Sequence, residues 1–186
     1  ADITPTAEGN VDVDINAAVA IDAAGNDNTA ATTLSVNYDI TAPDVTISSA
    51  ASDPTNTSPI PVDIAFSEDV TGFVIGDITV TNGTASNFVA VDAQNYTVDI
   101  TPTADGLVDV DIAAAKATDA AGNDNNAATT FSIEYDSTAP TVVISSTESD
   151  PTIANPIPVA IDFSETVTGL TLGDITVTNG TASNPV

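Results

Sequence analysis

The sequence predicts an all-β fold of tandem seven-stranded sandwiches, and three observations carry that prediction. Val and Ile alternate with polar residues in short runs, as in Val62, Ile64, Phe66 and in Val108, Val110, Ile112, the period of half-buried strands. Clusters of Gly, Pro, Asn, Asp and Ser separate the runs, which is how strands are punctuated. The third observation is an internal repeat. Asp2-Ile-Thr-Pro-Thr-Ala-Glu-Gly9 recurs as Asp99-Ile-Thr-Pro-Thr-Ala-Asp-Gly106, an offset of 97 residues. The same offset aligns Asp22–Asp27 with Asp119–Asp124, and Gly76–Gly83 with Gly173–Gly180, without insertion or deletion. One folded unit is therefore repeated along the chain.

This offset divides the 186 residues into three parts. Residues 1–40 read as the C-terminal half of a repeat, 41–137 as a complete repeat and 138–186 as the N-terminal half of the next. Neither half has a full core. Each is expected to be completed by further chain, by a neighbouring molecule or by the other half from another copy. Two repeat lengths exceed the chain by eight residues, as in a two-repeat unit of a longer array.

Within the complete repeat the first strand is expected near 44–48, with Val45 and Ile47 inward. Asp53-Pro54 and Pro59 then interrupt pairing. The second strand is 60–66, with Val62, Ile64 and Phe66 on one face. A loop with two adjacent acids, Glu68 and Asp69, leads to a third strand near 77–81. Asn82-Gly83 reads as a hairpin turn, because both residues tolerate positive φ. It also begins an Asn-Gly-Thr glycosylation sequon, which the turn explains better. Strands near 87–91, 96–100 (Tyr96, Val98, Ile100 inward), 108–112 and 129–136 complete the set. Between the last two lies a long loop, 113–127, where Gly122 and Asn123 suit positive φ and allow at most a short helical turn. Seven strands at this spacing predict an immunoglobulin-like sandwich, with a jelly roll or small barrel as the alternative.

Composition excludes several functions. One basic side chain, Lys116, stands against 27 acids, with no His and a net charge of −26. Nucleic-acid binding needs basic clusters, and an anionic membrane would repel the chain. No Cys is present, so disulfides and thiolate metal sites are excluded, and no apolar run is long enough to insert in a bilayer. Without His or Cys a catalytic triad cannot be built. Paired carboxylates could formally serve a glycosidase, but the few aromatic residues are mostly at core positions. We expect no enzyme.

The acids fall where strand ends meet. In a seven-stranded sandwich of this order the loops carrying Glu68, Asp69, Asp119 and Asp124 gather at the end where the incoming linker brings Asp39. Asp53 and Asp105 lie at the opposite end, facing Asp136 and Glu165 at the next joint. Carboxylates this crowded repel, by roughly 1 kcal/mol per pair in water and about 4 kcal/mol near a protein surface. A divalent cation relieves the repulsion. Ca2+ takes oxygen ligands, whereas Zn2+ and Cu2+ would favour the absent Cys and His. The 119–124 loop is equally good turn chemistry, and it is not an EF-hand, since Thr130 stands where the terminal Glu would be. Asp63, Asp99, Asp109, Asp111 and Glu134 alternate outward and are expected to be merely solvated.

Thr-Ala-Pro before a Val/Ile strand, Phe-Ser-Glu-x-Val-Thr-Gly, Gly-Asp-Ile-Thr-Val-Thr-Asn-Gly and Asp-Ala-Ala-Gly-Asn together resemble the bacterial immunoglobulin-like repeats of giant surface adhesins. The resemblance covers the whole chain. It implies an extracellular or cell-surface stalk domain whose partners are the neighbouring repeats and other copies in a filament or bundle. It also implies Ca2+ between domains, with Asp39, Glu68 and Asp119 at one joint and Asp136 and Glu165 at the next. Thr166 stands where the earlier copy has Asp69. A directly adhesive glycan- or cell-binding module and an accessory domain of a secreted hydrolase are the competing readings.

Overall fold

Alternation of apolar and polar residues builds eleven strands in a computed structural model that describes residues 1–183. They are β1 (Gly9–Val13), β2 (Leu34–Tyr38), β3 (Val45–Ser48), β4 (Ile60–Phe66), β5 (Ile78–Thr81), β6 (Gly83–Ala90), β7 (Asn95–Pro102), β8 (Gly106–Ile112), β9 (Phe131–Tyr135), β10 (Val142–Ser145) and β11 (Ala160–Phe163). The last three residues of the expected N-terminal half-repeat lie outside the described residues. The chain forms two compact units, Ala1–Asp136 and a second beginning at Ser137.

In the first unit β3 to β9 form a two-sheet sandwich. One sheet has the order β3-β4-β7-β6 and the other β5-β8-β9, with antiparallel pairs throughout. This is the strand arrangement of a constant-type immunoglobulin-like domain. The inward faces supply one buried cluster, in which Ile60, Val62, Ile64, Val98, Ile100, Val108, Val110 and Ile112 are at most 1% exposed. Phe66, Phe73, Phe88 and Tyr96 form an aromatic cluster against it, with ring centroids between 5.1 and 5.9 Å apart.

Asn82-Gly83 is not the hairpin turn expected from its sequence. The strands it joins, β5 and β6, lie in different sheets, so the dipeptide turns a corner between layers. Only Asn82 has positive φ, at 57°. Its side-chain amide donates to the carbonyls of Ala104 and Leu107, at 2.9 and 3.2 Å, which pins the corner to the turn before β8. Gly83 is needed for close approach instead. A Cβ there would lie 3.1 Å from both the Thr101 carbonyl oxygen and Val80 Cγ1.

The outward acids differ in part from expectation. Asp109 accepts from the Ser132 hydroxyl at 2.6 Å, Asp111 from the Thr130 hydroxyl at 2.5 Å and Asp99 from the Asn87 amide at 2.8 Å. Cross-strand pairing places a hydroxyl or amide beside each of these carboxylates, so they are hydrogen-bonded as well as solvated. Asn123 also departs from expectation, since Gly122 (φ 95°) and Ala115 (φ 58°) carry the positive φ in that loop.

The repeat is structural as well as sequential. β1 pairs β2 from Gly9 opposite Tyr38, as β8 pairs β9 from Gly106 opposite Tyr135. β10 pairs β11 from Val142 opposite Phe163, as β3 pairs β4 from Val45 opposite Phe66. Cis peptide bonds before Pro54 and Pro59 recur before Pro151 and Pro156.

Candidate metal centre

The joint 38–43 is held at every step. Asp39 Oδ1 accepts from the Thr41 amide at 3.0 Å. Glu8 accepts from the Ile40 amide at 2.9 Å and from the Thr41 hydroxyl at 2.8 Å. Pro43 is buried, and its carbonyl accepts from the Asn126 amide at 2.9 Å. The carbonyl of Asp39 accepts from the Asn123 side chain at 3.3 Å. A linker fixed on both sides gives its aspartate a defined place. The sequence reading missed Glu8, although it recognised the equivalent Asp105 as an end-loop acid.

Three loops then converge. Asp39 comes from the joint, Glu68 from the segment after β4 and Asp119 from the loop between β8 and β9. One carboxylate oxygen from each lies within 4.8 Å of the other two. Asp119 is the ordered member: its Oδ1 accepts from the amides of Gly122 and Asn123 at 2.7 and 2.8 Å, and its Oδ2 from the Asn123 side chain at 2.8 Å. These bonds, led by the Asn123 side chain, hold its carboxyl below the usual range. Half-buried Glu68 shifts the other way. Desolvation raises its pKa first, followed by the charges of Asp119, Asp39 and Glu8. The chain's one basic side chain does not neutralise the group, because Lys116 Nζ pairs with Asp77 at 3.7 Å.

Asn125 organises the loop carrying Asp119, and nothing in the sequence reading identified it. It is 2% exposed. Its Oδ1 accepts from the amides of Lys116 and Ala117 at 2.7 and 2.8 Å, and its Nδ2 donates to the carbonyls of Ala113 and Asn126 at 3.1 and 2.6 Å. Asn28 makes the same four bonds in the first half-repeat. Asp22 likewise accepts from Asn26 as Asp119 does from Asn123. The loop geometry is thus local and repeated. That recurrence is the signal by which a sequence reader could have found Asn125.

The other candidates lie elsewhere. Asp69 and Asp124 are exposed and stand outside the triad; Asp124 bridges Thr118 within its own loop. Asp136 ends the first compact unit, its amide donating to the Thr55 carbonyl at 2.9 Å, whereas Glu165 is exposed in the second. Asp53 Oδ1 accepts from the Glu134 amide at 3.0 Å, tying the β3–β4 loop to the last strand.

Three carboxylates without a neutralising base make an oxygen-only donor set. It fits a hard divalent cation such as Ca2+ and offers no nitrogen or sulfur to softer metals. Without a cation, ionised Glu68 opposes folding, because its folded pKa lies above its ordinary value of 4.5. In chelator at neutral pH, Glu68→Gln is expected to raise stability by a few tenths to about 1 kcal/mol, water screening the rest. The advantage should shrink as pH falls through the folded pKa of Glu68, where the wild type takes up the proton. Asp119 acts with the opposite sign, losing its stabilising contribution only below its ordinary value of 3.8. Chemical denaturation of both proteins across acid pH measures the difference, and a gap constant with pH would count against this account of Glu68.

Among the described residues no helix is long and apolar enough to cross a membrane. Comparison with curated proteins and with solved structures finds no match. The sequence model of the bacterial Ig-like domain matches twice, over residues 39–135 and 136–186. With most of its length matched and the two-sheet sandwich in place, the chain belongs to the bacterial Ig-like domain family.

Proposed function

We propose that this chain is a length of structural stalk in an extracellular bacterial adhesin or surface filament, stiffened by Ca2+ at its joints. The observation that carries the reading is the convergence of Asp39, Glu68 and Asp119 to within 4.8 Å at the junction of two repeats. The ligands come from a linker and two loops of the following repeat, so a cation shared by them restrains the linker. Glu8, held to Ile40 and Thr41, ties the preceding repeat to the same linker. The family supports a structural or adhesive role at the cell surface. High negative charge favours solubility and self-repulsion between stalks. Neutral carbonyls and water would complete the coordination, as Ca2+ accepts about 6–8 oxygens.

Melting the chain in Ca2+ and in chelator, with Mg2+ as the control, tests this. At a hundred times the dissociation constant, Ca2+ is expected to add about 2.7 kcal/mol. Small-angle scattering should show a narrower distribution of interdomain distances. Mg2+, which demands a smaller octahedral site, should do less. An unchanged melting point together with unchanged scattering would remove the metal from the proposal. Failure of the complete repeat to fold as a sandwich would remove the stalk.

A further inference from the structure

We propose that Asn82-Gly83 is a deamidation site that the folded sandwich holds closed and unfolding opens, and that its acidic products oppose refolding. In an Asn-Gly pair the second residue has no side chain to shield its backbone nitrogen. Once the chain is free to turn, that nitrogen reaches the asparagine side-chain carbon. Gly83 N bonds to Asn82 Cγ, the Cγ–Nδ2 bond breaks, and Nδ2 leaves as ammonia with the Gly83 amide proton. The product is a cyclic succinimide. Water opens either C–N bond of the ring and returns a proton to the nitrogen. One opening leaves aspartate; the other leaves isoaspartate, whose main chain runs through the side-chain carbon.

The folded corner keeps the two reacting atoms apart. Asn82 Nδ2 donates to the carbonyls of Ala104 and Leu107 at 2.9 and 3.2 Å, and the Asn82 carbonyl accepts from the Thr103 amide at 3.0 Å. Side chain and backbone are thus both tied to the turn before β8, and Cγ is not free to swing onto the next nitrogen. The space around Gly83 is also filled, with the Thr101 carbonyl oxygen and Val80 Cγ1 each 3.1 Å from where a Cβ would stand. Attack therefore waits for the corner to open, and its rate follows the population of the opened state.

The same contacts make the products a poor fit. The amide of Asn82 donates, whereas an ionised carboxylate only accepts. Two hydrogen bonds become two repulsions between oxygens, at the carbonyls of Ala104 and Leu107. Isoaspartate adds a backbone carbon where the chain passes from one sheet to the other, and displaces Gly83 from its place opposite Pro102. A chain that stays unfolded long enough to react is thereby marked, and the mark favours its staying unfolded. No residue of the metal joint takes part, so the inference stands apart from the stalk reading.

Mass spectrometry of the full chain, aged in mildly alkaline buffer with and without urea, tests it. Cleavage after Lys116, the single Lys or Arg, separates Asn82 from the second Asn-Gly pair at 179–180, and fragment ions locate each added acid. Asn82 should react at least about tenfold more slowly in the folded chain than in urea, as expected when only the opened state reacts. After removal of urea, the chains that regain the near-ultraviolet signal of the aromatic cluster should be depleted of those modified at Asn82. Asn82→Asp, which swaps the amide nitrogen for oxygen and changes little else, should unfold at a lower urea concentration than the wild type. Equal reaction rates in the two states, equal modification of refolded and unfolded chains, or an unchanged midpoint in Asn82→Asp would overturn the inference.

Discussion

Replacing Ile100 by Ala is expected to destabilise the complete repeat by about 2–5 kcal/mol. Ile100 is fully buried, opposite Ile60 on one side and Ala85 on the other. Truncation removes apolar area from the centre of the larger sheet and leaves a cavity that a close-packed sandwich fills poorly. For a domain of this size each kcal/mol is worth roughly 4–8 °C in Tm. The drop is therefore large enough to read by melting the aromatic cluster signal. Ile3 is the equivalent residue in the first half-repeat and is 55% exposed. Ile3→Ala should change the same transition by less than about 0.5 kcal/mol. Equal losses at the two positions would show that the core is not where the sandwich places it.

The second large effect is expected at Asn125. Asn125→Ala strips the amides of Lys116 and Ala117 of their acceptor and two carbonyls of a donor, in a loop closed from water. Leaving buried backbone groups unsatisfied costs about 1–3 kcal/mol each, and partial relaxation brings the expected loss to about 2–4 kcal/mol. Asn28→Ala removes the same four bonds from the more exposed loop of the first half-repeat. Water can replace them there, so its cost should stay under about 1 kcal/mol. Amide exchange supplies the direct readout. Lys116 and Ala117 should lose protection in Asn125→Ala, whereas comparable unfolding losses in the two variants would refute the role of burial.

These paired variants show why identical sequence does not mean identical energetics. The backbone of the Asp22 loop and that of the Asp119 loop follow the same local hydrogen-bond pattern. Only the second is backed by a full sandwich. Asp119 is 6% exposed, while Asp22 is exposed. Pro43 is buried under the loop of its own repeat, while Pro140 in the second unit is exposed. Local structure is written in the repeat, but its stability depends on what covers it.

Alternation of Val and Ile was enough to place most of the strands, because burial on one face imposes a period of two; the strand expected near 87–91 instead runs from Gly83 to Ala90, with a register shift between Ser86 and Val89 that breaks the alternation there. Fixed spacing revealed the repeat and its equivalent elements. The absence of His and Cys, with a single Lys, limited any ligand chemistry to oxygen. Tertiary structure decided the rest. Asn82-Gly83 has the composition of a hairpin, but the sheets required a corner between layers and a glycine where backbones meet. Four acids at the first joint looked alike in one dimension besides Asp39. The fold drew only Glu68 and Asp119 to it and left Asp69 and Asp124 outside, since neighbouring residues in a loop project in different directions. Sequence determined which residues repeat and which faces are apolar; the packing of the two sheets, a long-range matter, decided which carboxylates meet.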